Sequence, residues 1–194
     1  MDGNIGQITI DLKGQVGVTD GHKVLATKEA GAIQFESTRW PFCFDGDTTS
    51  AGGTRSITPF LTFNQDLNRL TLTVKNLEAP KAKVTWGEAS KEFTKEQLAG
   101  GVNLAAEFDQ TPFDKPFADL VNAVGQKQNF ETYMIKNVIT QFRNYPPELK
   151  ADAELQSALK TVSERLHARQ AELDAAARAT LLPVKHAISV TPVP

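Results

Sequence analysis

The feature that most constrains this chain is a change of hydrophobic period near Thr111. Before it, apolar and polar residues alternate: Ile8, Ile10 and Leu12 in "QITIDLKG", Ile33 and Phe35 in "GAIQFES", Leu70, Leu72 and Val74 in "RLTLTVKN", Val84 and Trp86 in "KVTWG". A period of two places such residues on one face of a strand. Turn-forming runs such as "TDGHK", "FDGDTTSAGGT" and "LEAPKA" separate the strands. Short strands at this spacing predict an antiparallel sheet or two-layer sandwich rather than parallel βαβ units.

After Thr111 the period becomes helical. Asp114 suits an N-cap, with Pro116 tolerated in the first turn. Phe117, Leu120, Val121 and Val124 form an apolar stripe that Ile135, Val138, Ile139 and Phe142 continue. Pro146 and Pro147 break this helix. A second follows, with Leu155, Leu159, Val162, Leu166 and Leu173 along a seam and Arg169 at one core-register position. Two such helices predict an antiparallel hairpin. The expected class is therefore α+β: a β-sandwich-like part over residues 1–110, a helical hairpin over 111–182, and an extended tail over 183–194. The prolines of "LLPVKHAISVTPVP" predict an edge strand for that tail.

One stretch joins the two textures. In "VTWGEASKEFTKEQLAGGVNLAAEF", Thr94 and Gln97 have the spacing of a capping box, Leu98 is the residue the turn would bury, and Gly100 and Gly101 stop the helix. A unit of this kind orients the chain and carries no chemistry.

Charge and motifs exclude several functions. A formal net charge of −2 offers no field for nucleic acid or anionic lipid. No apolar run approaches the ~20 residues that span a bilayer. The start "MDGNIGQITIDL" has neither the basic nor the apolar region of an export signal. Cys43, the single cysteine, stands among aromatics in "WPFCF" and reads as a buried apolar group. None of the glycine runs opens a helix as a phosphate loop would, and no histidine or cysteine pair has zinc spacing, so neither a cofactor nor a metal is expected. Asp45 and Asp47 in "FDGDTT" could face a hard cation, but the calcium-loop pattern does not continue and a solvated turn is favoured.

Of the three histidines, His167 lies on the second helix, and His186 stands in the tail without an acidic partner. His22 follows Asp20 by two positions and invites comparison with a catalytic pair, yet no nucleophile elbow accompanies it. A small hydrolase built from Asp20, His22 and one serine is the least favoured reading. Two aromatic-rich stretches are richer. Trp40 and Phe42 stand in "STRWPFCF", and in a second stretch Phe63 stands beside Asn64, Asn68 and Arg69. Rings suit the apolar face of a sugar, and amides and a guanidinium suit its hydroxyls, so these six residues are the candidate substrate-binding set. The same residues also suit a sandwich corner whose buried backbone needs partners.

The segments "DGNIGQITIDL", "GHKVL", "ESTRWPFCFDGD", "RSITPFLTFNQDLNRLTLTVKNLEAPKAKVTWGEASKEFTKEQLAGGVNLAAEF" and "PFADLVNAVGQKQNFETYMIK" resemble the C-terminal region of a bacterial, planctomycete-type GDSL/SGNH hydrolase group. The resemblance runs to about Lys136. It implies an esterase or acylhydrolase, often one acting on carbohydrate esters, in which a Gly-Asp-Ser serine attacks the acyl carbonyl and an Asp-x-x-His supplies the base. This chain has neither motif. In the family both lie upstream of the segment corresponding to "DGNIG", so no catalytic residue carries over to any position here. The expectation is a non-catalytic accessory region that shapes the substrate site or mediates oligomerisation through its helices. The resemblance implies a catalytic SGNH domain as partner, in the same precursor or a separate chain, and an exported or periplasmic setting. An independent carbohydrate-binding module using Trp40, Phe42, Phe63, Asn64 and Asn68 is the alternative.

Overall fold

The computed structural model describes residues 3–27, 32–49 and 51–194. Met1, Asp2, Gly31 and Ser50, which fall in motifs quoted above, lie outside the described residues. The fold is α+β. Its chain divides into two compact units, residues 1–117 with 183–194, and residues 118–182.

The first unit contains two sheets. In chain order its strands are β1 (Asn4–Asp11), β2 (Val16–Val18), β3 (His22–Thr27), β4 (Ile33–Ser37), β5 (Arg69–Lys75), β6 (Lys81–Trp86), β7 (Ala89–Thr94), β8 (Val102–Asn103) and β9 (Val184–Val193). One sheet has the order β2-β1-β5-β8 and the other β3-β4-β9-β6-β7. The alternation read from the sequence holds: Ile8, Ile10, Ile33, Phe35, Leu70, Leu72, Val74, Val84 and Trp86 are buried and join one apolar core between the sheets. Burying such side chains is the main source of stability here, roughly 1.5–3 kcal/mol for each large one. Leu12 is the exception, half-exposed just past the end of β1.

The sheets are largely antiparallel, as the alternation predicts, with one parallel pair, β1 with β5. The long connection between them, which builds β2 to β4 on the way, is ample for a parallel crossover. One expectation needs correction. The C-terminal segment is not an edge strand. β9 lies between β4 and β6, pairing Val184–Ile188 with the former and Ile188–Val193 with the latter. Pro192 falls in the half that pairs on one side only, which is why a proline is tolerated in an interior strand.

Short helices punctuate the sheets: α1 (Phe63–Asp66), α2 (Lys95–Gly100) and α3 (Leu104–Glu107), with a 3-10 helix over Thr54–Phe60. The capping box of α2 is complete, with Thr94 Oγ1 accepting from the Gln97 amide at 3.2 Å and Gln97 Oε1 accepting from the Thr94 amide at 2.8 Å. Gly101 stops it at φ 96°, a conformation that favours glycine. Asn76 has the other notable backbone, φ 58°, which asparagine tolerates; its amide donates to Asp11 Oδ1 at 2.6 Å.

The helix α4 (Asp114–Tyr133) leads into the second unit and continues through a π-helical turn, Met134–Ile139, into α5 (Thr140–Phe142). Its cap is Thr111 rather than Asp114. Thr111 Oγ1 accepts from the Phe113 amide at 3.1 Å, while the Asp114 carboxylate reaches back to the Thr111 amide at 2.9 Å. After Pro146, α6 (Pro147–Ala151) and α7 (Ala153–Ala179) complete the unit. Gln170 on α7 donates to Glu131 on α4 at 2.8 Å, and Leu159 faces Phe142 across a groove, so the two arms run antiparallel. Of the apolar positions in this unit, Met134 and Ala177 are buried, whereas Val121, Ile135 and Val162 are exposed.

Candidate functional site

Two groups of side chains merit attention, one inside the sandwich and one on its surface. The internal group follows from strand register. His22 at the start of β3 stands opposite Ser37 at the end of β4. His186 on β9 stands opposite Phe35, two positions before Ser37. Trp86 on β6 stands opposite Ile188, two positions after His186. Residues two apart share a face, so all four side chains point into the same layer of the core. His22 and His186 are buried, and Ser37 and Trp86 have no exposed surface.

These groups form one hydrogen-bonded chain. Trp86 Nε1 lies 3.1 Å from His186 Nδ1, His186 Nε2 lies 2.8 Å from Ser37 Oγ, Ser37 Oγ lies 2.8 Å from His22 Nδ1, and His22 Nε2 lies 3.0 Å from the Ile5 carbonyl. Its direction is fixed at both ends. The indole can only donate and the carbonyl can only accept. His186 therefore accepts at Nδ1 and donates from Nε2 to Ser37, which donates to His22 Nδ1, and His22 Nε2–H ends on Ile5. Both imidazoles are neutral, with the proton on Nε2. Gly6 makes the last contact possible, because a Cβ there would lie 2.0 Å from His22 Nε2.

Electrostatics agree with that assignment. Burial pushes His186 down to about 4, with the neighbouring His22 adding to the effect. His22 is lowered as well, chiefly by burial; the Ile5 carbonyl opposes this and the Arg39 charge reinforces it. Phe35 stacks on the His186 ring at 5.5 Å and Phe113 tilts against it at 5.1 Å. A serine that donates to an imidazole is half of a nucleophile–base pair. What a hydrolase needs beyond it is missing at this place. The far nitrogen of His22 meets a carbonyl instead of an orienting carboxylate, Asp20 takes no part, and no acyl carbonyl can reach a hydroxyl with zero exposure. The chain acts as a polar pin across β3, β4, β9 and β6.

The candidate substrate-binding set divides between the surface and the core. Phe42 and Phe63 meet edge to face at 5.5 Å, and Phe44 and Phe117 complete the cluster at 5.0 and 4.9 Å from Phe42. Trp40 is not part of it; its ring tilts against Phe113 at 6.4 Å and packs on the core. Asn68 is fully buried. Its Oδ1 accepts from the Phe42 amide at 2.8 Å, and its Nδ2 donates to the Phe42 carbonyl and to Asn64 Oδ1. Arg69 donates to the Gln65 and Asp66 carbonyls at the end of α1. The structure thus gathers Phe42, Phe63, Asn64 and Asn68, with the amides holding the loop backbone together.

Further residues support this corner. Asn103 caps α3 and donates to the Asn64 and Asn68 carbonyls. Arg55 ties the loop to Asp109 through its side chain at 2.7 Å and its carbonyl at 2.9 Å, and also donates to Phe44 and Gly46. The crevice beside Arg55 and Cys43 has a volume of about 10 Å³, room for about one water. Burial pushes the Cys43 thiol up to about 12, which makes it unreactive. Asp47 is used locally, its Oδ1 accepting from the Thr49 amide and hydroxyl at 2.7 Å. Among the described residues no group of three His, Cys, Asp or Glu side chains could hold a metal ion, and no helix is long and apolar enough to cross a membrane.

Beyond the cluster the apolar surface stays open. Phe60 is 83% exposed, and Ile57, Leu61 and Leu67 are each more than half exposed. Four large apolar side chains exposed within eleven residues of chain make the segment Ile57–Leu67 an apolar ridge in sequence, and such groups mark interaction surfaces where they are contiguous. The asparagine and arginine bonds above hold its base in place.

No family model matches the chain, and no curated protein does. Among solved structures, the chain is similar in fold to a gut microbial diltiazem-metabolizing enzyme, with a TM-score of 0.64 at 16% sequence identity. The match covers 97% of this chain and 50% of that enzyme, so the chain spans about half of the enzyme's length.

Proposed function

We propose that the chain is a non-catalytic accessory region of a GDSL/SGNH-type esterase, an acylhydrolase of the kind that acts on carbohydrate esters. In this reading the sandwich lends structure to a reaction centre contributed by a catalytic SGNH domain, and the ridge Ile57–Leu67 with the loop Phe63–Arg69 is the face turned toward that domain or its substrate. The observation that carries the proposal is the sealing of Ser37. Its hydroxyl is committed to His22 inside the core, while the ridge leaves large apolar side chains of the same unit open to solvent. A fold shared with half of an enzyme is consistent with this division of labour.

The experiment is hydrolysis of p-nitrophenyl acetate by the purified chain. The expected rate is that of buffer. Turnover that disappears in His22→Ala would overturn the proposal. The carbohydrate-binding alternative has less in its favour, because Asn68 spends its amide on the Phe42 backbone and Trp40 packs on the core. Saturable binding to a glycan array, lost in Phe63→Ala, would restore it.

A further inference from the structure

The end of the helical hairpin near Pro146 carries a groove of about 530 Å³, lined by Ile139, Phe142 and Leu159 and by the cations Arg143, Lys150 and Lys160. Sites for small organic molecules occupy roughly 300–1,000 Å³. The groove begins where the first arm changes its winding. In the π turn Met134–Ile139, Thr140 Oγ1 donates to the Ile135 carbonyl at 2.6 Å and Gln141 Nε2 to the Lys136 carbonyl at 3.3 Å. Such turns widen a helix locally and recur at functional sites. Here the turn ends at Ile139, itself a groove residue, three positions before Phe142 and four before Arg143.

The groove gathers three of the hairpin's cations. Outside it, Lys127 is matched with Glu131, Arg169 with Glu172 and Arg178 with Asp174, each within 2.8 Å, whereas Lys136 and Arg165 form no ion pair with the described residues. In the groove, the Arg143 and Lys150 side chains make no hydrogen bond or ion pair with the described residues, and Lys160 has Glu164 only at 3.9 Å. No carboxylate lines the groove. Three like charges lining one groove beside apolar side chains make the local potential positive and favour an anion there. A guanidinium favours a planar carboxylate in particular.

We propose that this groove binds an amphipathic organic anion, with its carboxylate at the Arg143–Lys150–Lys160 rim and its apolar body along Ile139, Phe142 and Leu159. Binding should weaken as ionic strength rises.

The test uses the full chain with methyl-labelled isoleucine and leucine, titrated with dodecanoate below its micelle concentration, with dodecyltrimethylammonium and with acetate. Dodecanoate is expected to shift the Ile139 and Leu159 methyl signals saturably, and neither other compound should do so. Arg143→Gln and Lys150→Gln should each weaken binding about ten-fold, the loss of one charge-assisted contact. Equal binding of the dodecyl cation, shifts spread over Ile135 and other exposed apolar faces, or no binding at all would overturn the proposal. So would the same shifts appearing on concentrating the protein without ligand, which would assign the groove to a second copy. The comparison of anion with cation needs no variant, so it decides even if a substitution disturbs folding.

Discussion

The two compact units are stabilised in different ways. The sandwich buries Trp86, Phe35, Phe113, Ile8, Leu70, Leu72 and Ile188 completely and threads a closed polar chain through them. The hairpin buries Met134 and Ala177 among its described apolar residues and leaves Val121, Ile135 and Val162 in solvent. Packing density and hydrogen-bond satisfaction thus concentrate in the sheets, whereas the helices rely on side-chain pairs at their surface. The lesson concerns where function can lie. A serine and two histidines in the tightly packed region serve the fold, and the surfaces open to partners are the ridge on the sandwich and the faces of the hairpin.

The largest expected difference comes from Trp86→Ala. It removes a fully buried ring and the donor that His186 Nδ1 depends on, and should cost about 4 kcal/mol in urea unfolding. A loss under about 1 kcal/mol would mean that the sandwich is as loosely packed as the hairpin. Ser37→Ala should cost about 3 kcal/mol, because it strands His22 Nδ1 and His186 Nε2–H together inside the core.

Acid acts on the same chain with a smaller effect. The folded protein holds His186 neutral down to about pH 4, while the unfolded chain takes up that proton near pH 6.5. Below about 6.5 the unfolded state therefore binds more protons, and stability falls with pH until the folded-state value is reached. Between about pH 6.5 and 5 the loss should be about 2 kcal/mol, with little change above, and His22 acts in the same direction. Thermal unfolding at a series of pH values reads this directly. A profile flat between pH 7.5 and 5 would remove the buried-histidine account. At the lower end, Val121→Ala on the hairpin should change stability by less than about 0.5 kcal/mol. A loss comparable to that of Ser37→Ala would show that the hairpin has a covered face.

Much of the fold was legible in the sequence because alternation is a local signal. Ile8 and Ile10, Leu70 to Val74 and the Thr94–Gln97 cap behave as their spacing says. The helical stripes were legible as helix but not as core. Val121 and Ile135 follow the right period, yet period alone does not supply a surface to pack against. The position of β9 was hidden because proline content speaks of a residue's own donor and not of which half of a strand is paired. The polar chain was hidden more deeply, since Ser37 and His186 are 149 residues apart. A trace of it was available. Ser37 shares parity with Ile33 and Phe35, and His186 with Val184 and Ile188, so each polar side chain points to the buried face of its strand. Phe42 and Asn68 are of the kinds a sugar site uses, but whether an amide faces solvent or backbone is decided by the tertiary turn.

The central claim is that the Ser37–His22 pair holds strands together and performs no acyl chemistry. Incubation of the native chain with a fluorophosphonate, followed by peptide mass analysis, tests it most directly. The account predicts an unmodified Ser37 peptide under conditions that fully label an active serine hydrolase. A phosphonate adduct on Ser37 in the folded protein would contradict it.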